Sequence, residues 1–320
     1  MPTFEGYRKT LSPLQVQIYD ALKDGMSRHR KEIEVQQCTD EALNGIFESV
    51  LLDHPEIYYV KGYRLWKRQD SSPMAVAPVY TSAPKEVKSV LESCSKAAEI
   101  LISRAEGLDE YAQELFIHDL LLRVTYGDGR KAEAHSLVGP LLHGIGVCEG
   151  ISKAAKFLFD LLGRKSFVVI GVAKTPKGHK DEPHAWNCIQ TNGCWYHLDI
   201  TFDNSLSGRS VKRYDYCNLS DYEIEADHKA TKRLPVKCVT QQNYYQQTGA
   251  QIENKRQLVD FITKERSSGV RDIIVKFPFS EEEAYLMIRE ALAELNYKGT
   301  AAVSCNKQQM VFHLHCGENN

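Results

Sequence analysis

The sequence lacks several features that would assign a protein to a class at once. No stretch approaches the roughly 18 uninterrupted apolar residues that a membrane helix needs. The first residues have neither the basic start nor the apolar core of a signal peptide. The nine cysteines form no CxxC pair, which argues against a zinc ribbon or a thioredoxin-type motif. We therefore expect a cytoplasmic protein with mostly reduced, buried cysteines.

An excess of charge of one sign is also missing. Lys and Arg number 40, against 42 for Asp and Glu, whereas proteins that bind nucleic acids usually carry a basic excess or stripe. Of the 320 residues, 42% are hydrophobic and 26% are charged, a balance typical of globular proteins. We therefore expect no nucleic-acid partner and no membrane association.

Periodicity and loop-forming residues divide the chain into three parts. Residues 1–82 are predicted to form an N-terminal region of helices followed by strands, and residues 83–240 hold the most informative motifs. A Gln-rich segment, 241–251, is predicted to be a linker. Residues 252–320 then show the pattern of a small α/β module with two helices and three strands.

Cys148 is predicted to lie at the start of a helix. Gly163 ends that helix, and its apolar face is formed by Ala154, Ala155, Leu158, Leu161 and Leu162. Free N–H groups and the helix dipole at this position favour negative charge, as a reactive thiolate or an oxyanion needs. The alternative is a cysteine that only packs at a buried helix start.

A β-hairpin is predicted from His184 to Thr201, around the turn Asn192-Gly193. This turn makes His184 and Asp199 diagonal neighbours, about 7–8 Å apart at the backbone and within side-chain reach. One strand face is mainly apolar. The other face carries His184, Trp186, Cys188, Trp195, His197 and Asp199.

A carboxylate bonded to one imidazole nitrogen leaves the other nitrogen to take a proton from a thiol. A register slip of one residue would turn Asp199 to the apolar face, and Asp203 would become the next candidate. Two alternatives remain: a polar face packed under a loop, and a metal site. The ligands of that metal site would be His184, His197, Asp199 and Cys188, a spacing that matches no zinc pattern. We therefore expect neither a metal nor a cofactor.

Three sequence boxes resemble the transglutaminase-like superfamily in content, order and spacing. They are Val-Cys148-Glu-Gly, His184-Ala-Trp-Asn and Trp195-Tyr-His-Leu-Asp199. Upstream pieces such as Ile117-His118-Asp119 and Val124-Thr125-Tyr126 are similar to bacterial members. The resemblance is strong over residues 110–205 and absent over the C-terminal module. It implies an α+β, papain-like core in which a catalytic helix packs on an antiparallel sheet.

The resemblance also implies a triad. Cys148 would attack a carboxamide or ester, His184 would move the proton, and Asp199 would orient His184. The thioester formed would be resolved by an amine or by water, with a protein or peptide as substrate. A protease or amidase that uses only water, or a catalytically idle peptide-binding module, are the alternatives. Predicted groove residues are Glu149, Trp186 and Trp195.

The segment from Lys174 to Pro183 leads directly into His184 and is polar, with Pro176, Gly178 and Pro183. Loops at such positions often control substrate entry. We therefore predict that this segment borders the site and is mobile, although an ordinary surface connection is the equal alternative.

Overall fold

The structure is a computed structural model that combines helices with antiparallel sheets. Within the part of the chain that it describes, no helix is both long enough and apolar enough to cross a membrane. The described residues are 3–66, 73–127, 129–174, 180–208 and 211–317.

The N-terminal region packs two helices on a small sheet. Ser12 caps the first helix through a capping box, and Thr39 caps the second, so both helix starts follow local sequence signals. Their apolar faces share one hydrophobic cluster with the strands. The elements are α1 (Pro13–Ser27), β1 (Ile33–Val35), α2 (Asp40–Asp53), β2 (Val60–Trp66) and β3 (Met74–Tyr80), with strand order β1-β3-β2.

The central region places helices around a five-stranded antiparallel sheet. Its helices are α3 (Pro84–Ile102), α4 (Glu110–Leu121), α5 (Cys148–Leu161), α6 (Ile200–Leu206) and α7 (Asp221–Ile224). A short parallel pair joins β4 (Thr125–Tyr126) to β5 (Ile145–Gly146). The sheet has the order β10-β6-β7-β8-β9 and consists of β6 (Ser166–Lys174), β7 (Asp181–Thr191), β8 (Cys194–Leu198), β9 (Cys217–Leu219) and β10 (His228–Ala230).

Helix α5 packs on this sheet through the apolar face that its spacing predicts. Ala155 and Leu158 are fully buried in one cluster with Ile189 of β7 and Leu198 of β8. The helix ends at Leu161, and Gly163 follows with a positive φ of 70°. This placement sets the start of α5, and with it Cys148, beside the sheet.

The predicted hairpin register is confirmed where the two strands pair. Thr191 lies opposite Cys194, and Ile189 lies opposite Tyr196. The predicted extent of the second strand is wrong, because the strand ends at Leu198 and helix α6 begins at Ile200. Asp199 causes the change: it is the N-cap of α6, and its carboxylate accepts two backbone N–H groups of the first turn.

The polar face of the hairpin is buried, as the apolar face is. Trp186, Cys188 and His197 are each at most 2% exposed. Tyr7 and Leu52 of the N-terminal region share a hydrophobic cluster with this face, and the Tyr7 hydroxyl donates to the Val168 carbonyl at 2.9 Å. The N-terminal region therefore covers the back of the sheet.

The C-terminal module has the two helices and three strands that the sequence predicts. Ser280 opens the second helix with the expected capping box. The elements are α9 (Lys255–Ser267), β11 (Asp272–Lys276), α10 (Glu281–Glu294), β12 (Ala301–Asn306) and β13 (Val311–Cys316), with strand order β11-β13-β12; a further short helix, α8 (Tyr244–Gln247), precedes the module.

The linker predicted at 241–251 is wrong. This segment contains the short helix α8, buries Tyr245 and Ala250, and pairs Gln251 with Lys276. Asn306 of the module reaches the central region and donates to the buried carboxylate of Asp215 at 2.9 Å. The segment is therefore packed structure and not a linker, because Tyr245 and Ala250 are buried.

Asp215 connects several parts of the chain, so its substitution should affect stability. It is 1% exposed and accepts hydrogen bonds from Arg213, Tyr245 and Asn306. Asp215→Ala leaves the buried Arg213 guanidinium without its carboxylate, so we expect a loss of about 3–5 kcal/mol in the free energy of unfolding. Urea denaturation measures this loss.

Asp260→Ala is the matched control, because Asp260 only forms an exposed pair with Arg256 at 3.3 Å. We expect a change within about 0.5 kcal/mol for this variant. Equal effects of the two substitutions would contradict the role given to Asp215.

Candidate active site

Cys148 is the first residue of α5 and follows the N-cap Val147. The backbone just before it is held by a hydrogen bond from Val147 N–H to the Ala134 carbonyl at 3.0 Å. The helix is tied to β7, since the Ser152 hydroxyl donates to the Ala185 carbonyl at 3.1 Å and the Asn187 amide donates to the Ser152 carbonyl at 2.9 Å. These bonds hold the thiol against the sheet strand that carries His184.

His184 reaches the site from β7. Its imidazole ring packs on Phe202 with centroids 4.7 Å apart and is stacked on Trp186 at 6.0 Å. Its Nε2 lies 2.7 Å from Asp199 Oδ2, and the ring lies near enough to the Cys148 thiol for the two groups to interact electrostatically. Because Nε2 is taken by the carboxylate, Nδ1 is the nitrogen left for the thiol.

Asp199 is fully buried and accepts hydrogen bonds at both carboxylate oxygens. Oδ1 accepts the N–H groups of Thr201 at 2.9 Å and Phe202 at 3.1 Å. Oδ2 contacts Nε2 of His184 at 2.7 Å and Nε2 of His228 at 3.0 Å. Burial opposes ionisation, but the charge and hydrogen bond of His184 and the bond from His228 hold the pKa of Asp199 well below its usual value.

The protonation of His184 follows from the same contacts. Burial lowers the pKa of the ring, but the charge of Asp199, its hydrogen bond and the nearby Cys148 raise that pKa to about 10. At neutral pH His184 is therefore an imidazolium between a carboxylate and a thiol. This arrangement can stabilise a negative charge on sulfur and can supply a proton to a leaving group.

Tyr126 approaches Cys148 from the other side. Its strand, β4, runs beside β5, with Tyr126 paired to Gly146, two residues before Cys148. Its side chain lies near enough to Cys148 for the two residues to interact electrostatically. Burial, followed by the charge of Cys148, raises the pKa of Tyr126. The residue is 56% exposed, so it lies where the site opens to solvent.

Of the three predicted groove residues, Glu149 lies beside the thiol. Glu149 is paired with Lys153 at 2.6 Å and with His135 at 3.1 Å, and these charges hold its pKa below the usual value against the effect of burial. Glu149 remains at the exposed edge beside Cys148.

Trp186 and Trp195 do not fit the groove prediction. Trp186 is 1% exposed, and its indole N–H donates to His197 Nδ1 at 3.0 Å. Trp195 pairs with Gln190, six residues along β7 from His184, which is about 20 Å at the rise of a strand. It packs instead on Phe4, with ring centroids 5.4 Å apart. Trp195 therefore faces the N-terminal region, whereas Trp186 is buried against His184 and His228; sequence periodicity alone did not reveal either placement.

Asp203, the fallback candidate, has a different partner. It lies in α6 and is bonded to His118 Nε2 of α4 at 3.0 Å, with both side chains fully buried. Burial raises the pKa of Asp203 to about 7, against the lowering effect of His118. This pair ties α6 to α4 and so holds the helix whose N-cap is Asp199.

Two side-chain groups in the described part of the chain could hold a metal ion by composition: His184, Asp199 and His228, and Cys188, His197 and Cys238. In the first group the His184–Asp199 distance is 2.7 Å, whereas two ligands at about 2.0–2.1 Å from a tetrahedral zinc lie roughly 3.3 Å apart. The 2.7 Å between His184 and Asp199 is therefore the distance of a hydrogen bond and not of two ligands on one zinc ion.

In the second group the Cys188 and Cys238 sulfurs are 3.9 Å apart. His197 Nε2 is bonded to Asp221 at 3.0 Å, and its Nδ1 accepts the Trp186 N–H. Both ring nitrogens therefore already have partners. The four-residue metal site considered from the sequence is divided between these two groups, with His184 and Asp199 in one and Cys188 and His197 in the other.

The segment predicted as a mobile border loop is only partly described. Residues 175–179 lie outside the described residues. Asp181, Glu182 and Pro183 belong to β7 and pair with β6, so this end of the segment is strand and not loop.

Two residues beside the candidate triad received no role from the sequence. Tyr126 stands in a family-like segment, and its place in Val-Thr-Tyr was the available signal. His228 stands in the dipeptide Asp227-His228, 29 residues after Asp199, and no local spacing connects the two. Only the pairing of β10 with β6 brings His228 to the carboxylate.

Comparison with known proteins gives weak but related neighbours. No family model and no curated protein matches the sequence. The structure search finds a transglutaminase and cysteine-protease-like proteins. A TGase crystal structure matches with 15% identity over 48% of this chain and 47% of that chain, at a TM-score of 0.32.

A protein from Cytophaga hutchinsonii, described as a candidate cysteine protease, matches with 14% identity over 44% of this chain and 62% of its own, at a TM-score of 0.30. A candidate protease from Parabacteroides distasonis matches with 15% identity over 42% of this chain and 30% of its own, at a TM-score of 0.25. The match spans less than two thirds of each neighbour. These neighbours are of the kind that the sequence boxes resemble, but at such scores their activities are not transferred to this chain.

The sheet beside the candidate site is closely packed at Gly171, and a substitution there can test this packing. It lies in β6 between His184 of β7 and Ala230 of β10. A Cβ at this position would lie 2.3 Å from the Lys229 carbonyl and 2.8 Å from the Trp186 ring. Gly171→Ala should therefore lower the free energy of unfolding by about 1–3 kcal/mol, as overpacking does. Chemical denaturation measures this change.

Gly45→Ala in α2 is the control, because a Cβ there meets nothing within 4 Å. This helix-interior change should stabilise the protein by up to about 1 kcal/mol. A Gly171→Ala variant as stable as the parent would show that β10 does not approach β6 as closely as described.

Proposed function

We propose that the chain is a thiol enzyme that acts on carboxamide or peptide substrates through a thioester, with Cys148, His184 and Asp199 as its triad. One observation supports this most: the imidazole of His184 contacts the buried Asp199 carboxylate at 2.7 Å and interacts electrostatically with the thiol at the start of α5. A buried cysteine with only a packing role has no need of an imidazolium beside it.

The first half-reaction follows from the protonation state. Cys148 attacks as the thiolate of a thiolate–imidazolium pair: its sulfur forms a C–S bond with the substrate carbonyl carbon as the carbonyl π electron pair moves to oxygen. The C–N bond then breaks, and the His184 imidazolium gives its proton to the departing amine or ammonia. The products are a thioester and a neutral His184.

The second half-reaction returns the enzyme to its starting state. Neutral His184 takes a proton from water or from a primary amine as that nucleophile attacks the thioester. The C–S bond breaks, and the thiolate–imidazolium pair forms again. Water gives a carboxylic acid, and an amine gives a new amide. A thioester can react with either acceptor, so acyl transfer and hydrolysis both belong to the proposal.

The oxyanion of the tetrahedral intermediate has two donors within reach. One is the backbone N–H of Cys148 at the N-terminus of α5, where the helix dipole also favours negative charge. The other is the Tyr126 hydroxyl, because Tyr126 pairs with Gly146, two residues before Cys148, and its side chain interacts electrostatically with Cys148.

The central test is mass spectrometry of the intact protein with a Gln-containing peptide, with and without a primary amine. We expect an acyl adduct on Cys148, peptide released as the glutamate form in water, and an amide product when the amine is present. Before this test, limiting iodoacetamide at pH 7 should label Cys148 ahead of the other eight cysteines.

Cys148→Ser should abolish both labelling and turnover, whereas Cys194→Ser is the matched control. Cys194 is a half-buried cysteine at the hairpin turn, in the same sheet and remote from His184. If another cysteine is labelled first, or if the Cys148→Ser variant still turns the peptide over, the proposed nucleophile is wrong. A protein that binds the peptide without any adduct or turnover would be the peptide-binding module.

Tyr126→Phe tests the oxyanion contact. Removing one oxyanion donor typically costs about 10²–10³-fold in kcat, and we expect a loss toward that range while KM stays nearly unchanged. Iodoacetamide forms no oxyanion, so labelling of Cys148 should keep a rate near that of the parent. Unchanged turnover by the Tyr126→Phe variant would assign the second donor elsewhere.

A further inference from the structure

A second histidine contacts the carboxylate of Asp199. His228 lies in the edge strand β10, where it pairs with Ala173 of β6. Its side chain is fully buried, and its ring centroid lies 5.4 Å from that of His184. Its Nε2 is 3.0 Å from the same oxygen, Oδ2, that His184 contacts.

The other nitrogen of His228 also meets a carboxylate. Nδ1 lies 2.5 Å from Oδ1 of Asp227, and the second oxygen of Asp227 accepts the Tyr216 hydroxyl at 2.5 Å. An ionised carboxylate only accepts hydrogen bonds, so both ring nitrogens of His228 must carry a proton to satisfy both contacts. His228 is therefore a buried imidazolium between two carboxylates. Burial opposes this charge, but the hydrogen bonds of Asp199 and Asp227 raise the pKa of His228.

The position of this cation has two consequences for Asp199. The carboxylate cannot rotate, because Oδ1 is held by the N–H groups of Thr201 and Phe202 while Oδ2 is shared by two rings. The positive charge of His228 also offsets part of the negative charge that acts on His184 and Cys148. The His228 cation, whose ring centroid is 5.4 Å from that of His184, opposes a second proton on His184. The same charge favours the thiolate form of Cys148.

We propose that His228 is a positioning residue of the site: it locks the Asp199 carboxylate toward His184 and, as a fixed counter-charge, sets the pH range in which Cys148 is reactive. The inference rests on the proposed function of Cys148. The ionisable groups that face this network are Asp199 at the start of α6, His184 on β7, Cys148 on α5, Tyr126 on β4, Asp227 before β10 and Tyr216 before β9.

The experiment measures the rate of Cys148 alkylation by iodoacetamide, followed by mass spectrometry, from pH 4 to 9. His228→Gln can still donate an amide N–H to Asp199 but carries no charge. Loss of the cation should move the pH of half-maximal labelling upward by on the order of one unit. A folded His228→Gln variant whose pH profile matches the parent would overturn the inference.

His197→Gln is the matched control. His197 is a buried histidine bonded to a carboxylate, Asp221, at the same distance of 3.0 Å, but it does not contact Asp199. Its variant should lose stability without a shift of the pH profile. A shift as large as that of His228→Gln would show that general loosening of the sheet, and not the charge of His228, moves the profile.

A second measurement needs no variant to fold. In the ¹⁵N-labelled parent protein, both ring nitrogens of His228 should show the chemical shifts of protonated nitrogens from pH 6 to 8. A neutral His228 ring would overturn the inference even if Cys148 is the nucleophile. If Cys148 of the parent is not the preferred labelling site, the proposed function fails, and the NMR result still decides the charge of His228.

Discussion

The buried carboxylate of Asp199 is the constraint around which the central region is arranged. An isolated carboxylate in the interior costs several kcal/mol unless its oxygens are fully hydrogen-bonded. Here four donors come from three elements: two backbone N–H groups of α6, His184 of β7 and His228 of β10. The end of β8, the start of α6 and the edge strand must therefore meet at one point. The site stands at this meeting point.

The sheet is held by further pairs of the same type. His118 joins α4 to Asp203 of α6, and His197 of β8 joins Asp221 of α7. Each pair links elements that are distant along the chain. Buried polar groups that all have hydrogen-bond partners favour one packing arrangement of the elements over alternative arrangements. In any alternative, a misplaced partner would leave a buried polar group unpaired. Such pairs hold in one arrangement the elements that carry His184 and Asp199.

Much of the local structure could be predicted from short sequence signals. Asn192-Gly193 defined the hairpin turn, and with it the pairing of Thr191 with Cys194. Ser280 and Glu283 marked the start of a C-terminal helix, and the apolar spacing after Cys148 marked α5. The second strand was predicted too long, because Asp199 could serve either as a strand residue or as an N-cap. That choice depends on the donors that surround its carboxylate.

The sequence by itself determined where Cys148 and His184 stand in their elements, since helix periodicity and a two-residue turn act over a few residues. Only the tertiary structure decided what covers each face. Trp186 is buried and Trp195 is half-buried in a cluster with Tyr7 and Leu52 of the N-terminal region, and α8 packs where a linker was expected. His228 and Tyr126 reach the site through pairing between distant strands. Such contacts join residues far apart in the chain and depend on the packing of all the elements. No regular spacing in the sequence therefore predicts them.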